Sequence, residues 1–185
     1  MNYSKIAIIG PRGSGKTTIS DQLSRELSLP VFHMDEIVWD ENWNEYPKDE
    51  YMGRHLNLIS SSEWLIEGYI NNMMLDRLEK ADLVIYLNYS QLICSIRLLR
   101  RYAMRTFNYY IRGVGIKPEE SVISLIKFVC SRFIKCDEVS YFNSVLSKYD
   151  SNKVVKIRYI DTAFKKYHRV LSKFRIRKKP LFSAI

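Results

Sequence analysis

The chain has 185 residues, 46% of them apolar and 26% charged, the composition of an ordinary soluble globular protein with one substantial core and, by default, one domain spanning 1–185. Its three cysteines, Cys94, Cys130 and Cys136, show neither zinc-ligand spacing nor the even count of a disulfide framework, so a reducing cytoplasm is expected. No apolar run approaches a membrane span, residues 6–9 are too few for a secretory leader, and the net charge is +9.

That charge is uneven: 8 Lys/Arg stand against 14 Asp/Glu through Ser90, and 21 against 6 beyond it. Such an asymmetry calls for an anionic partner, and nucleotide phosphates, nucleic acid and acidic protein surfaces all qualify.

In chain order, residues 5–9 are rich in Ile, too few for a helix, and end at Gly10, which predicts a buried strand. A helix follows from about Lys16, with Ile19, Leu23 and Leu27 at helical spacing, and Pro30 then introduces a second short strand over 31–34. Further strands are expected at 64–66, 83–87 and 154–157, with helical patterns between them. The alternation predicts an α/β protein: a mostly parallel five-stranded sheet between two helical layers.

The segment GPRGSGKT, residues 10–17, lies between the first strand and the first helix. Gly10, Gly13 and Gly15 allow a tight turn whose backbone N–H groups point inward, and the helix N-terminus adds positive potential, so Gly10, Pro11, Arg12, Gly13, Ser14, Gly15 and Lys16 form a phosphate loop for ATP. Lys16 would pair with phosphate charge and stabilise the transferring group. Thr17 would offer its hydroxyl to Mg²⁺, with Ser14 and Thr18 as secondary contacts. A chance glycine turn is a poor account of a full eight-residue match in this position. The motif says nothing about what receives the phosphate.

Two acids follow the next strands, at the sheet edge where open parallel sheets bind ligands. Asp35 would accept a proton or hydrogen bond from an acceptor hydroxyl, and Glu67 would hold Mg²⁺ through water; alternatively each is a solvated strand-end acid. His33, on an apolar strand, is expected to be a packed residue. Trp39, Trp43 and Tyr46 either wall an acceptor pocket or cap the core beneath a loop. From about Leu92 a basic amphipathic helix carries one stripe of Leu92, Ile96, Leu99 and Ala103 and another of Arg97, Arg101 and Arg105. An arginine row of this kind can neutralise charge during phosphoryl transfer; a solvated helix face is the plainer alternative.

Residues 106–118, with Arg112, Gly113 and Gly115, are expected to form a mobile lid, followed by a second amphipathic helix with Val122, Leu125, Ile126, Val129 and Phe133 on its buried face. Residues 165–179 hold 8 Lys/Arg and no acid. The tail from about 175 would touch nucleic acid or anionic lipid, or simply keep the chain soluble.

The pattern resembles the adenylate-kinase-like P-loop kinases, and most closely the subgroup of DNA topology modulation proteins (FlaR-like). The residues that carry this are GPRGSGKTT, LPVFHMDEIVW with the following W-x-x-x-P, WLIEGYI, RLEKADLVIYL and the pair Arg97 and Arg101, over about half the chain. The resemblance implies a kinase fold with a helical lid and directs Arg97 toward the base or phosphates and Arg101 toward the phosphates. Glu67-Gly68-Tyr69-Ile70-Asn71 stands where adenylate kinases have D-G-F-P-R; it keeps the acid and the glycine but lacks the arginine that grips an acceptor nucleotide. The lid also departs from the family: YYIRGVGIKPEES lacks a G-C-P-E-like element, leaving Arg112 to stand in.

The expected function is transfer of the γ-phosphate of ATP, with Mg²⁺, to a small acceptor such as a nucleoside or nucleotide. Lys16, Asp35 and Arg101 would be its catalytic residues, and Thr17 and Glu67 would organise the metal. The alternative is an ATP-binding regulator docked on nucleic acid through the basic C-terminal half.

Overall fold

A computed structural model shows the fold and describes residues 3–42, 44–68, 70–71, 74–114, 127 and 137–157. Five strands, β1 (Lys5–Ile9), β2 (Val31–His33), β3 (Trp64–Glu67), β4 (Leu83–Leu87) and β5 (Val154–Ile157), form one sheet in the order β2-β3-β1-β4-β5. Every pairing is parallel. The helices described are α1 (Lys16–Leu27), α2 (Met34–Val38), α3 (Lys48–Ser60), α4 (Asp76–Lys80), α5 (Gln91–Arg112) and α6 (Asp137–Leu146).

Successive strand residues face opposite sides of the sheet, and here both sides are apolar because both are covered. Ile6, Ile8, Leu65, Leu83 and Ile85 pack with Ile19, Leu23 and Leu27 of α1 and Cys94 of α5. Ala7, Ile9, Trp64, Ile66, Val84 and Tyr86 pack on the other side with Val38, Tyr51, Ile59, Leu78 and Phe142. This is the expected three-layer α/β arrangement.

The helix after β1 therefore lies on one face, whereas the helix after its neighbour β3 lies on the other. Connections that part in this way open a crevice at the carboxyl ends of the two strands, the usual ligand position in open α/β sheets. The glycine loop leaves β1 at that crevice, and Glu67 ends β3 beside it.

One local expectation changes. Met34 opens α2 instead of ending β2, so Asp35 and Glu36 lie in the first turn of a short helix, where acids suit the helix dipole. On α5 the stripe of Leu92, Ile96, Leu99 and Ala103 is exposed, and the buried residues are Cys94, Ser95 and Leu98 on the opposite side. Residues 106–112 of the expected lid continue α5, which ends at Gly113 in a left-handed conformation, φ 64°. The rest of the lid, the second amphipathic helix over 122–133 and the basic tail lie outside the described residues.

Candidate phosphate and metal site

Residues 10–15 turn from the buried end of β1 into α1. Gly13 and Gly15 hold φ of 86° and 84°, which only glycine adopts without cost, and Ser14 N–H donates to the Pro11 carbonyl at 3.1 Å to close the turn. A Cβ on Gly13 would lie 2.6 Å from the Cys94 carbonyl oxygen and 3.0 Å from Leu98 Cγ. The loop is thus seated directly on α5. Pro11 and Ser14 are buried, Gly15 and Lys16 half-buried, and Arg12, Thr17 and Thr18 exposed at the loop rim. Lys16 Nζ donates to the carbonyls of Gly10 at 3.0 Å and Pro11 at 3.3 Å, so its charge lies along the loop.

Thr17 Oγ1 donates to Glu67 Oε1 at 2.9 Å, joining the loop to the end of β3. Glu67 is 4% exposed, which sets aside its reading as a solvated strand-end acid. The next residue, Gly68, has φ 107°, and a Cβ there would meet Asp35 Oδ1 at 3.4 Å. The Asp35 carboxylate therefore lies over the Glu67–Gly68 step. Asp35 itself is exposed. The fold brings Thr17, Glu67 and Asp35 to one edge from three separate segments.

His33 departs from its expected role as a packed apolar-strand residue. The parallel register sets it beside Glu67, and His33 Nδ1 lies 2.9 Å from Glu67 Oε1 with Nε2 3.6 Å from Asp21 Oδ1. Asp21 follows Thr17 by four residues on α1, the spacing of one helix face. That spacing is the one sign of Asp21 that the sequence carried.

Beneath the site lie two buried polar residues that the sequence pattern did not single out. Arg77 of α4 is fully buried; burial lowers its guanidinium to about 10, and the Glu67 carboxylate opposes that loss. His55 of α3 is also fully buried. Burial first and the Arg77 charge second, with a smaller push from Lys80, lower its imidazole to about 4, against an upward pull from Asp76. Neither ring nitrogen of His55 has a hydrogen-bond partner among the described residues.

On α5, Arg97 is half-buried with its guanidinium 5.6 Å from the Tyr89 ring centroid, while Arg100, Arg101 and Arg105 are exposed. At about 100° per residue, Arg101 continues the line of Cys94 and Leu98, which touch the loop, and Arg100 falls well to one side. Arg112 lies 5.5 Å from the Phe107 ring on its own helix. Trp39 and Tyr46 pack against the core cluster, with Arg54 stacked 4.4 Å from the Tyr46 ring, which favours the capping role for these aromatics; Trp43 lies outside the described residues.

The donors near the loop are a hydroxyl and carboxylate oxygens. Such a set suits Mg²⁺, a hard cation that takes one or two protein oxygens and completes its shell with phosphates and water. Among the described residues no helix is long and apolar enough to cross a membrane, and Cys94 is buried and unbridged.

Solved structures share this fold. A shikimate kinase from Bacteroides thetaiotaomicron superposes with a TM-score of 0.57 at 11% identity, covering 94% of this chain and 99% of that one. A sugar kinase from Janibacter sp. HTCC2649 gives 0.56 at 14% identity over 94% and 95%, and a gluconokinase from Sinorhizobium meliloti 1021 gives 0.51 at 12% over 93% and 91%. A search of curated proteins finds no match. A family model described as an AAA domain matches residues 6–107, from β1 through most of α5. That span holds the phosphate loop, the crevice and the strands β1 to β4, and the chain belongs to this AAA domain family and has the fold of the P-loop kinases.

Proposed function

We propose that the protein is an ATP-dependent phosphotransferase acting on a small hydroxyl-bearing acceptor. The observation that carries this is the Thr17–Glu67 hydrogen bond at the mouth of the glycine loop, with Asp35 on the same edge. A phosphate-binding loop alone fits any ATP-binding protein; a second carboxylate facing the same crevice is what an acceptor needs. Solved structures of this fold named gluconokinase and shikimate kinase support the reaction class.

In this reading the backbone N–H groups of residues 10–15 and the α1 N-terminus hold the β- and γ-phosphates, and Lys16 moves from its loop carbonyls to their charge. The Thr17 hydroxyl donates its hydrogen bond to Glu67, which would leave its oxygen lone pairs for Mg²⁺. The bound ion supplies neutralisation of phosphate charge. Asp35 accepts the proton of the acceptor hydroxyl as its oxygen bonds to the γ-phosphorus and the bond to ADP breaks. Arg101, one turn beyond Leu98, leans back toward the loop as helical side chains do, and Arg97 lies on its flank. The acceptor is not expected to be a nucleoside monophosphate, since Asn71 replaces the gripping arginine. The finer placement with the FlaR-like subgroup rests on the segments HMDEIVW and WLIEGYI.

The test is ADP formation across a panel of small hydroxyl compounds. Acceptor-stimulated turnover is expected, and it should vanish in Lys16→Ala while the fold persists, because that change opens no core cavity. Equal turnover in the variant and the parent would sink the mechanism.

A further inference from the structure

We infer that His33 is a positioning residue for the metal site: its Nδ1–H fixes the Glu67 carboxylate so that the Thr17 hydroxyl points its proton inward and its lone pairs toward the nucleotide. The inference rests on the kinase reading above and extends it to a residue outside the phosphate loop.

Glu67 Oε1 accepts the Thr17 hydroxyl at 2.9 Å and meets His33 Nδ1 at 2.9 Å. A carboxylate only accepts, so Nδ1 must carry the hydrogen of the second contact. One carboxylate oxygen thus receives two donors from two directions, one from α1 and one from β2. A single hydrogen bond would let the carboxylate swing about its terminal torsion, which is broad and soft. Two converging donors fix it. The ring in turn has little freedom: its strand register pairs His33 with Glu67, and Asp21 Oδ1 stands 3.6 Å from Nε2 on the far side.

Thr17 gains from this arrangement. A threonine hydroxyl can present either its hydrogen or its lone pairs to a neighbour, and only the lone pairs bind a cation. With Glu67 held as acceptor, the hydrogen is committed to the protein side. Glu67 is the partner one bond removed from the metal ligand, and partners of that kind typically change metal affinity by about 10- to 100-fold when removed; His33, acting through Glu67, governs part of that range.

The test measures ATP binding to the full chain by calorimetry, without Mg²⁺ and across a Mg²⁺ series, for the parent, His33→Ala, His33→Asn and His33→Gln. The Asn amide nitrogen occupies the place of Nδ1, whereas the longer Gln amide corresponds to Nε2. The expected result is unchanged Mg²⁺-free affinity in all four, a Mg²⁺ requirement raised by up to about 10-fold in His33→Ala and His33→Gln, and recovery in His33→Asn. If His33→Ala fails to fold, as checked by thermal melting, the Asn and Gln pair decides alone. Identical Mg²⁺ dependence in the parent and His33→Ala, or in His33→Asn and His33→Gln, would overturn the role of His33. A parent whose ATP affinity ignores Mg²⁺ would instead overturn the kinase reading on which the inference rests.

Discussion

Replacing Gly13 with alanine probes whether the phosphate loop is held in shape by α5. The added Cβ would sit 2.6 Å from the Cys94 carbonyl oxygen, 3.3 Å from its carbonyl carbon and 3.0 Å from Leu98 Cγ, on a backbone with φ 86°. Two costs combine. A left-handed conformation in a residue with a Cβ costs about 1–2 kcal/mol, and overpacking against a well-formed neighbour costs about 1–3 kcal/mol. The nearest atom belongs to helix backbone and cannot rotate aside, so Gly13→Ala should lose about 2–5 kcal/mol by urea unfolding, seen as a lower midpoint at constant slope. Relief by lifting the loop off α5 would also misdirect its N–H groups, so ATP affinity should fall about 10-fold or more. Gly53→Ala is the internal control, because its Cβ would meet nothing within 4 Å on helix α3, and alanine there should gain about 0.5–1 kcal/mol. An unchanged midpoint and unchanged affinity in Gly13→Ala would show that the loop does not rest on α5.

Arg101→Ala should reduce turnover about 100-fold or more, in line with arginines that stabilise transferring phosphoryl groups, whereas Arg100→Ala should stay within a few-fold of the parent; steady-state rates of the two that cannot be told apart would refute the facing of α5. His55 titrates at about 4 in the folded chain against 6.5 unfolded, so the unfolded state binds its proton first and stability falls as pH drops from about 6.5 toward 4. Urea unfolding over that range should show a loss of order 3 kcal/mol in the parent that His55→Leu lacks, and a difference between the two that stays flat with pH would refute the assignment.

The sheet and the phosphate loop were legible because their signals are local. Short Ile- and Val-rich runs cut off by Gly10 or introduced by Pro30 mark strands, and Ile19, Leu23 and Leu27 mark a helix, without knowledge of any partner. What stayed hidden depends on pairing between distant segments. His33 meets Glu67 only because β2 lies beside β3 in register, although 34 residues separate them in the chain. The inward face of α5 was not legible for a related reason. Its most hydrophobic stripe, with Leu92, Ile96 and Leu99, is exposed, and Cys94, Ser95 and Leu98 pack inward, with Cys94 and Leu98 against the glycine loop. Periodicity reports amphipathicity; it does not report which face a close neighbour can tolerate. Arg77 and His55 gave no sign at all, since a charged or titratable residue on a helix ordinarily faces water.

Arg77 also decides which residues make clean probes of function. A fully buried guanidinium is costly, and it persists only where opposite charge and hydrogen bonds offset its lost hydration. Glu67 contributes to that compensation while it also accepts from Thr17 and contacts His33, so one carboxylate serves both the core and the site. Neutralising it would leave a buried cation less compensated, a change that costs about 3–5 kcal/mol when a buried pair is broken. A dead Glu67 variant would therefore confuse lost catalysis with lost structure. Thr17 stands on the open side of its bond to Glu67, and Lys16 bonds the loop carbonyls of Gly10 and Pro11, so a substitution at either would remove a proposed ligand contact and leave the Arg77–Glu67 attraction in place. The chemistry of this crevice is best dissected from the phosphate loop inward.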